Sequence, residues 1–165
     1  MTSLIRITAE NHLSHLEKIL EIETLSSSIP WSAGGFIQEI NNPISCLWTA
    51  VVHGRVAGFI CYWLLDFEVH LLNLAVHPEE RGKGLGRLLV NHMIEEALSR
   101  EVESIWLEVR RSNGKAVKLY REVGFEKAGV RSKYYDDTRE DAFVMCLTFP
   151  GALHLYERHA IGELS

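Results

Sequence analysis

A mixed α/β fold is predicted for this chain by three features of its sequence. Apolar runs at Leu47–Val52 and Arg55–Leu65 meet across His53-Gly54, which signals an antiparallel hairpin. A glycine-rich, basic loop from Arg81 to Arg87 joins an apolar strand to an amphipathic helix. A further strand, Ser104–Val109, follows that helix, and a strand–helix–strand connection makes its two strands parallel. The expected sheet is therefore largely antiparallel with one parallel pair, and the helical patterns number about four. At 165 residues the chain suits one domain, read here as residues 1–150 followed by an unassigned tail at 151–165.

Each element has a local reason. Leu4–Ile7 reads as a short first strand. Thr8 caps a helix whose apolar residues Leu13, Leu16, Ile19, Leu20 and Ile22 recur at helical spacing, with His12 and His15 as solvated residues rather than metal ligands. Ser32, after Ile29-Pro30-Trp31, N-caps a second helix, which Asn41-Asn42-Pro43 ends. Gly34 and Gly35 weaken that helix by about 1 kcal/mol each relative to alanine. The hairpin follows, with Gly58 marking a bulge, and Asp66-Phe67-Glu68 turns the chain into Val69–Val76. The next helix, Leu85 to Ser99, is expected to bury Leu85, Leu88, Leu89, His92, Met93 and Ala97. After the parallel strand, Asn113 caps a helix to Val123, which Gly124 stops in a left-handed position. Phe125–Tyr135 and Ala142–Phe149 read as final strands around Asp136–Arg139, and Pro150-Gly151 breaks regular structure.

Composition narrows the function classes. The chain is 47% hydrophobic and 24% charged, as expected of a soluble globule. A net charge of −5 argues against direct contact with nucleic acid and suits a cationic substrate. Cys46, Cys61 and Cys146 are widely spaced and read as reduced core thiols, which points to a cytoplasmic setting. The longest apolar run, Phe59 to Leu65, is too short to span a membrane, so no membrane partner is expected.

The loop carries the chemistry. Gly82, Gly84 and Gly86 alternate with Lys83 and Leu85, and a backbone lacking Cβ atoms can curl so that successive N–H groups converge on an anion. The helix that follows adds unpaired first-turn amides and the positive end of its dipole, so a diphosphate is the expected guest. The spacing excludes a nucleoside triphosphate loop, G-x-x-x-x-G-K-[ST], and the dinucleotide fingerprint G-x-G-x-x-G. On the parallel strand, Ile105, Leu107 and Val109 share one face, and Trp106, Glu108 and Arg110 the other. Glu108, flanked by apolar residues, is expected to be partly desolvated and so a better base near neutrality, with a solvated or salt-bridged strand carboxylate as the alternative. Tyr120 shares a helical face with Ala116 and Val117, which by itself marks only a core-edge tyrosine.

The order Arg81-x-x-Gly84-x-Gly86 after Leu74-Ala75-Val76-His77-Pro78 resembles the acetyl-coenzyme A signature [QR]-x-x-G-x-[GA] of the GNAT superfamily of N-acetyltransferases. The resemblance extends through Pro30-Trp31-Ser32, Trp106 to Asn113, Ala116 to Phe125, Tyr134-Tyr135 and Glu140 to Met145, an ordered set similar to the RimI-type enzymes of that family. It implies the GNAT fold, with a splayed parallel strand pair. It also implies acetyl-CoA as co-substrate, no metal, and direct transfer to the N-terminal amine, of alanine, in a small-subunit ribosomal protein.

Carried over residue by residue, the resemblance makes Glu108 the general base and Tyr120 the general acid. Leu74, Ala75 and Val76 would contact the acetyl and pantetheine segment. Arg81, Gly82, Lys83, Gly84, Leu85, Gly86 and Arg87 would hold the pyrophosphate, and Asn113 the pantetheine or nucleotide arm. Trp31, Tyr134 and Tyr135 would shape the acceptor groove. Two departures from the family pattern stand out: Gly34-Gly35 in the second helix, and the tail beyond Phe149. Acetylation of other protein N-termini or small amines, and a catalytically inactive coenzyme A-binding module, are the competing readings.

Overall fold

The structure, a computed structural model, describes residues 1–150, so the tail from 151 to 165 lies outside the described residues. Seven strands form one sheet: β1 (Thr2–Arg6), β2 (Ser45–Val52), β3 (Arg55–Leu64), β4 (Glu68–Val76), β5 (Ser104–Arg110), β6 (Glu126–Arg131) and β7 (Ala142–Thr148). The helices are α1 (Leu16–Ser26), α2 (Ala33–Ile40), α3 (Leu85–Ser99) and α4 (Gly114–Glu122). Strand order is β1-β2-β3-β4-β5-β7-β6, antiparallel throughout except for the parallel pair β4–β5 that α3 connects. This is the mixed sheet the sequence predicts.

The parallel pair is joined only at its beginning. Its register runs from Glu68 opposite Ser104 to His70 opposite Trp106, and beyond that point the strands part. Part of the cause is local. Against β3, Asn73 pairs with Cys61 and Leu71 with Tyr62, which leaves Leu72 as an extra residue in β4. A bulge of this kind bends its strand away from a straight ladder.

The sheet is buried on both faces. Ile60, Tyr62, Val69, Ile105, Leu107 and Met145 pack with Leu89 and Met93 of α3 and Val117 and Tyr120 of α4. On the opposite face Leu47, Phe59, Cys61 and Ala75 pack with Ile19 and Ile22 of α1 and Phe36 of α2. The helices and strands thus bury alternate strand residues on each side, the pattern that forces this register.

The structure differs from the sequence reading at several boundaries. No helix begins at Thr8: Asn11 ties the chain locally, accepting from the Thr8 N–H at 2.8 Å and donating to the Arg6 carbonyl at 2.8 Å. A short 3₁₀ turn, His12–Ser14, follows, and Leu13 is 85% exposed. Leu88 is also partly exposed, so the buried face of α3 is narrower than its sequence suggests. Strand β6 stops at Arg131 because Lys133 turns left-handed (φ 50°) and gives its N–H to Asp141 at 2.9 Å. Of the cysteines, Cys46 and Cys61 are buried and Cys146 is half-buried; all are free.

The bulge expected at Gly58 is present one residue away, and Gly58 has a packing role besides. The unpaired residue is its neighbour Ala57, since Gly58 pairs with Ala50 and Val56 with Val51. A Cβ at Gly58 would lie 2.9 Å from the Ala75 carbonyl oxygen, and backbone cannot yield as a side chain does. Gly58→Ala should therefore destabilise the protein by about 1–3 kcal/mol by forcing β3 and β4 apart. A denaturant titration measures this as a lowered midpoint at unchanged slope.

Candidate functional site

Loop and helix meet at the open end of β4. Gly82 and Gly84 sit at φ 77° and 85°, the left-handed region that glycine enters without a Cβ penalty, and no atom lies within 4 Å of where either Cβ would be. Gly84 is the N-cap of α3, and no side chain caps that terminus. The first intrahelical bond runs from the Leu88 N–H to the Gly84 carbonyl at 3.0 Å, so the amides of Leu85, Gly86 and Arg87 precede it. Unpaired donors, an open concave backbone and the dipole of α3 suit a diphosphate.

The three cations of the loop are engaged by the protein itself. Arg81 donates to the Val76 carbonyl at 2.9 Å and to the Ser26 hydroxyl at 3.1 Å, tying the loop to β4 and α1. Lys83 pairs with Glu80 at 3.1 Å, and Arg87 pairs with Glu122 of α4. An anion at this loop would therefore meet main-chain amides more than free side-chain charge. Gly86 is held for packing, because its Cβ would touch Leu119 of α4 at 3.4 Å.

Beside the loop is the gap between β4 and β5. The His77 N–H bonds the Ala57 carbonyl at 2.8 Å, so by alternation Ala75 also faces β3 while Leu74 and Val76 turn their N–H groups toward the gap. Two backbone donors thereby line the space where the parallel ladder fails.

Glu108 and Tyr120 lie on opposite faces of the sheet. Ile105, Leu107 and Val109 are buried toward α3 and α4, which puts Trp106, Glu108 and Arg110 on the α1–α2 side. The Glu108 carboxylate, expected to be partly desolvated with a salt bridge as the alternative, is partly covered and also paired: it meets Arg131 at 3.2 Å, the guanidinium 57% and the carboxylate 25% exposed. Tyr120 lies in the α3–α4 core with its ring against Phe125, centroids 5.7 Å apart. Burial pushes its phenol well above the ordinary tyrosine range, and the nearby Tyr135 phenol adds to the shift.

The remaining expected residues fall into two groups. Asn113 is exposed and caps α4, accepting from the Ala116 N–H at 3.2 Å, so its Oδ1 already has a partner. Trp31, Tyr134 and Tyr135 sit around the α1–α2 side. Trp31 packs on Phe36 with centroids 5.2 Å apart and borders a shallow depression with Ser32, Gly35, Gln38 and Glu39. Tyr134 and Tyr135 meet edge to face at 5.1 Å, and the Arg110 guanidinium lies 3.9 Å above the Tyr135 ring. Burial pushes the Tyr135 phenol up to about 12, against the opposing pull of Arg110.

Sequence reasoning passed over Glu23. It is buried, accepting from the Trp31 N–H at 3.3 Å and from Asn73 at 2.7 Å, so one carboxylate joins the chain before α2 to the bulged part of β4. Its position one helical turn after Ile19 on the apolar stripe was the available signal. His12 and His15 bond nearby carbonyls, and no cluster of three metal-ligating side chains occurs among the described residues.

Comparison with known proteins gives the family. Residues 16–125 match the acetyltransferase (GNAT) family. The [ribosomal protein bS18]-alanine N-acetyltransferase of Escherichia coli (strain K12) is 38% identical over 128 residues, covering 76% of this chain and 86% of that protein. The enzyme of the same name from Haemophilus ducreyi is 36% identical over 133 residues, 79% of this chain and 91% of its own. The crystal structure of the ribosomal-protein-S18-alanine N-acetyltransferase from E. coli superposes with a TM-score of 0.80 at 34% identity, covering 90% of this chain and 94% of that one. Arabidopsis thaliana NAA60 in complex with a bisubstrate analogue shares the fold, with a TM-score of 0.80 at 19% identity.

Proposed function

This chain belongs to the acetyltransferase (GNAT) family, and we propose that it moves an acetyl group from acetyl-CoA to the N-terminal amine, of alanine, in the small-subunit ribosomal protein bS18, acting in the cytoplasm. The observation that carries this reading is the split between β4 and β5. The uncapped amides of α3 stand at its mouth and the donors of Leu74 and Val76 along it, while Glu108 and Tyr120 lie on opposite faces of the sheet. The amides of Gly82 to Arg87 hold the co-substrate's diphosphate, with Ala75 beside the pantetheine arm and Asn113 reaching its far part through Nδ2.

Transfer is direct. The acceptor nitrogen bonds to the acetyl carbonyl carbon as the carbon–sulfur bond breaks. Glu108 takes the amine's proton through water, and Arg131 gives way to the incoming ammonium. An α-amino group, of pKa about 8, needs less help from this base than a lysine at about 10.4. The N–H groups of Leu74 and Val76 stabilise charge on the carbonyl oxygen. Tyr120 gives its proton to the departing thiolate. Burial raises the phenol, and an apolar setting makes a thiolate more basic as well, which offsets part of the mismatch. Trp31, Tyr134 and Tyr135 border the acceptor.

The direct test offers the enzyme acetyl-CoA with an alanine-starting bS18 peptide, a lysine-containing peptide blocked at its N-terminus, and a polyamine. Transfer to the first alone supports the proposal; preference for either other acceptor overturns it. The raised phenol adds a sign. A group raised above its usual value keeps its proton as pH climbs, so kcat has no alkaline limb from Tyr120 below about pH 10. Tyr120→Phe should lower kcat about 10- to 100-fold at every pH tested.

A further inference from the structure

One guanidinium on the acceptor side does far more than the proposed chemistry asks of it. Arg110 ends β5, two residues beyond Glu108 and on the same face. It donates to Asp137 at 2.9 Å and Thr138 at 3.2 Å, reaches the Ser28 hydroxyl at 3.5 Å, and lies 3.8 Å from the Glu140 carboxylate. Its flat face covers the ring of Tyr135. Ser28 itself donates to Asp137, and Glu140 accepts from both the N–H and the hydroxyl of Ser112.

These contacts join three parts of the chain that are remote in sequence: the α1–α2 connection through Ser28, the β6–β7 loop through Tyr135 to Glu140, and the start of α4 through Ser112. The loop has little backbone pairing of its own. Residues 132–141 form no ladder, Lys133 and Arg139 are left-handed, and Tyr135 and Arg139–Glu140 close a small internal turn. Arg110, Asp137 and Glu140 are mostly covered, with side-chain exposures of 24%, 19% and 21%, which sets the group apart from a solvated surface ion pair.

We propose that Arg110 is a positioning residue for the acceptor: its bonds to Asp137 and Ser28 and its stacking on Tyr135 hold the β6–β7 loop against the α1–α2 connection, fixing the far wall of the groove over Glu108. The proposal rests on the acetyl-transfer reading for its kinetic arm only. Arginine suits the post because a planar fork can bond two loops while its face stacks on a ring, which an ammonium cannot do. Asp137, held down to about 2 by the Ser28 hydroxyl and by Arg110, stays charged through the working pH range. Glu108 and Glu140 also face this region, and Arg131 balances the former. The clasp therefore persists while the acceptor amine titrates.

Four variants, read by acceptor kinetics, acetyl-CoA affinity and proteolysis, test it. For Arg110→Met we expect KM for the acceptor peptide to rise by about tenfold or more, kcat to change by less than about threefold, and acetyl-CoA affinity to hold. Asp137→Asn should give a smaller rise in the same direction, and the double variant should equal Arg110→Met rather than the product of the two. Arg110→Lys should recover only part of the loss. Independently of any acceptor, trypsin should cut at Lys133 and Arg139 faster in Arg110→Met, with the rest of the domain intact. Unchanged KM and unchanged cleavage would overturn the clasp, as would parallel loss of kcat, KM and acetyl-CoA binding, which marks general collapse. Should Arg110→Met fail to fold, Asp137→Asn decides by the same measurements. If the unaltered protein acetylates no peptide, the acetyl-transfer reading fails, and the cleavage rates still judge the clasp.

Discussion

Glu108→Gln is expected to cut kcat for an alanine-starting peptide by about 100-fold while leaving acetyl-CoA affinity within about twofold, the loss typical of removing one positioned base. The substitution keeps the shape of the side chain and abolishes its capacity to accept a proton. It also breaks the charge pairing with Arg131, whose guanidinium is the more exposed partner and can return to water at little cost. The loss should narrow as pH rises from about 6 to about 9, because an α-amino group of pKa about 8 then arrives already deprotonated. Steady-state rates across that range, with binding followed by calorimetry, measure both parts. Unchanged turnover at the acid end would remove Glu108 from the mechanism.

Gly84→Val should abolish acetyl-CoA binding, by more than about 100-fold, with a smaller loss of stability. The residue sits at φ 85°, where a β-branched side chain costs about 1–3 kcal/mol. No atom lies within 4 Å of its Cβ position, so the folded protein has room for the side chain. That room is where the diphosphate is proposed to rest, and the new methyl groups displace it while disturbing the N-cap of α3. Gly86→Val is a contrasting control, since its Cβ meets Leu119 and the damage reaches the α3–α4 contact. Calorimetric titration with acetyl-CoA and a thermal melt separate the two effects; retained affinity in Gly84→Val would contradict the cradle.

Local chemistry made most of the fold legible. Ser32 and Asn113 cap the helices expected of them, accepting from Gly35 and Ala116, because a cap is a bond across three residues. The alternation around Glu108 placed it on one face, and the glycines at 82 and 84 announced a turn that only positive φ permits. What escaped reading depends on contacts between remote segments. Neither the Arg131 partner of Glu108 nor the tether of Arg81 to Ser26 follows from a local pattern, because each is set by how the strands register and the loops return. Thr8 misled for a related reason: Asn11, bonding the chain on both sides of it, took over the turn before a helix could begin. The extent of the β4–β5 split was equally hidden, since an extra residue such as Leu72 shows itself only against its partner strand.

A crystal structure of the protein with acetyl-CoA puts the central claim to the most direct test. It should show diphosphate oxygens within hydrogen-bond distance of the amides from Gly82 to Arg87, and the thioester lying in the β4–β5 gap between Glu108 and Tyr120. A co-substrate bound elsewhere, with those amides facing only water, would contradict it.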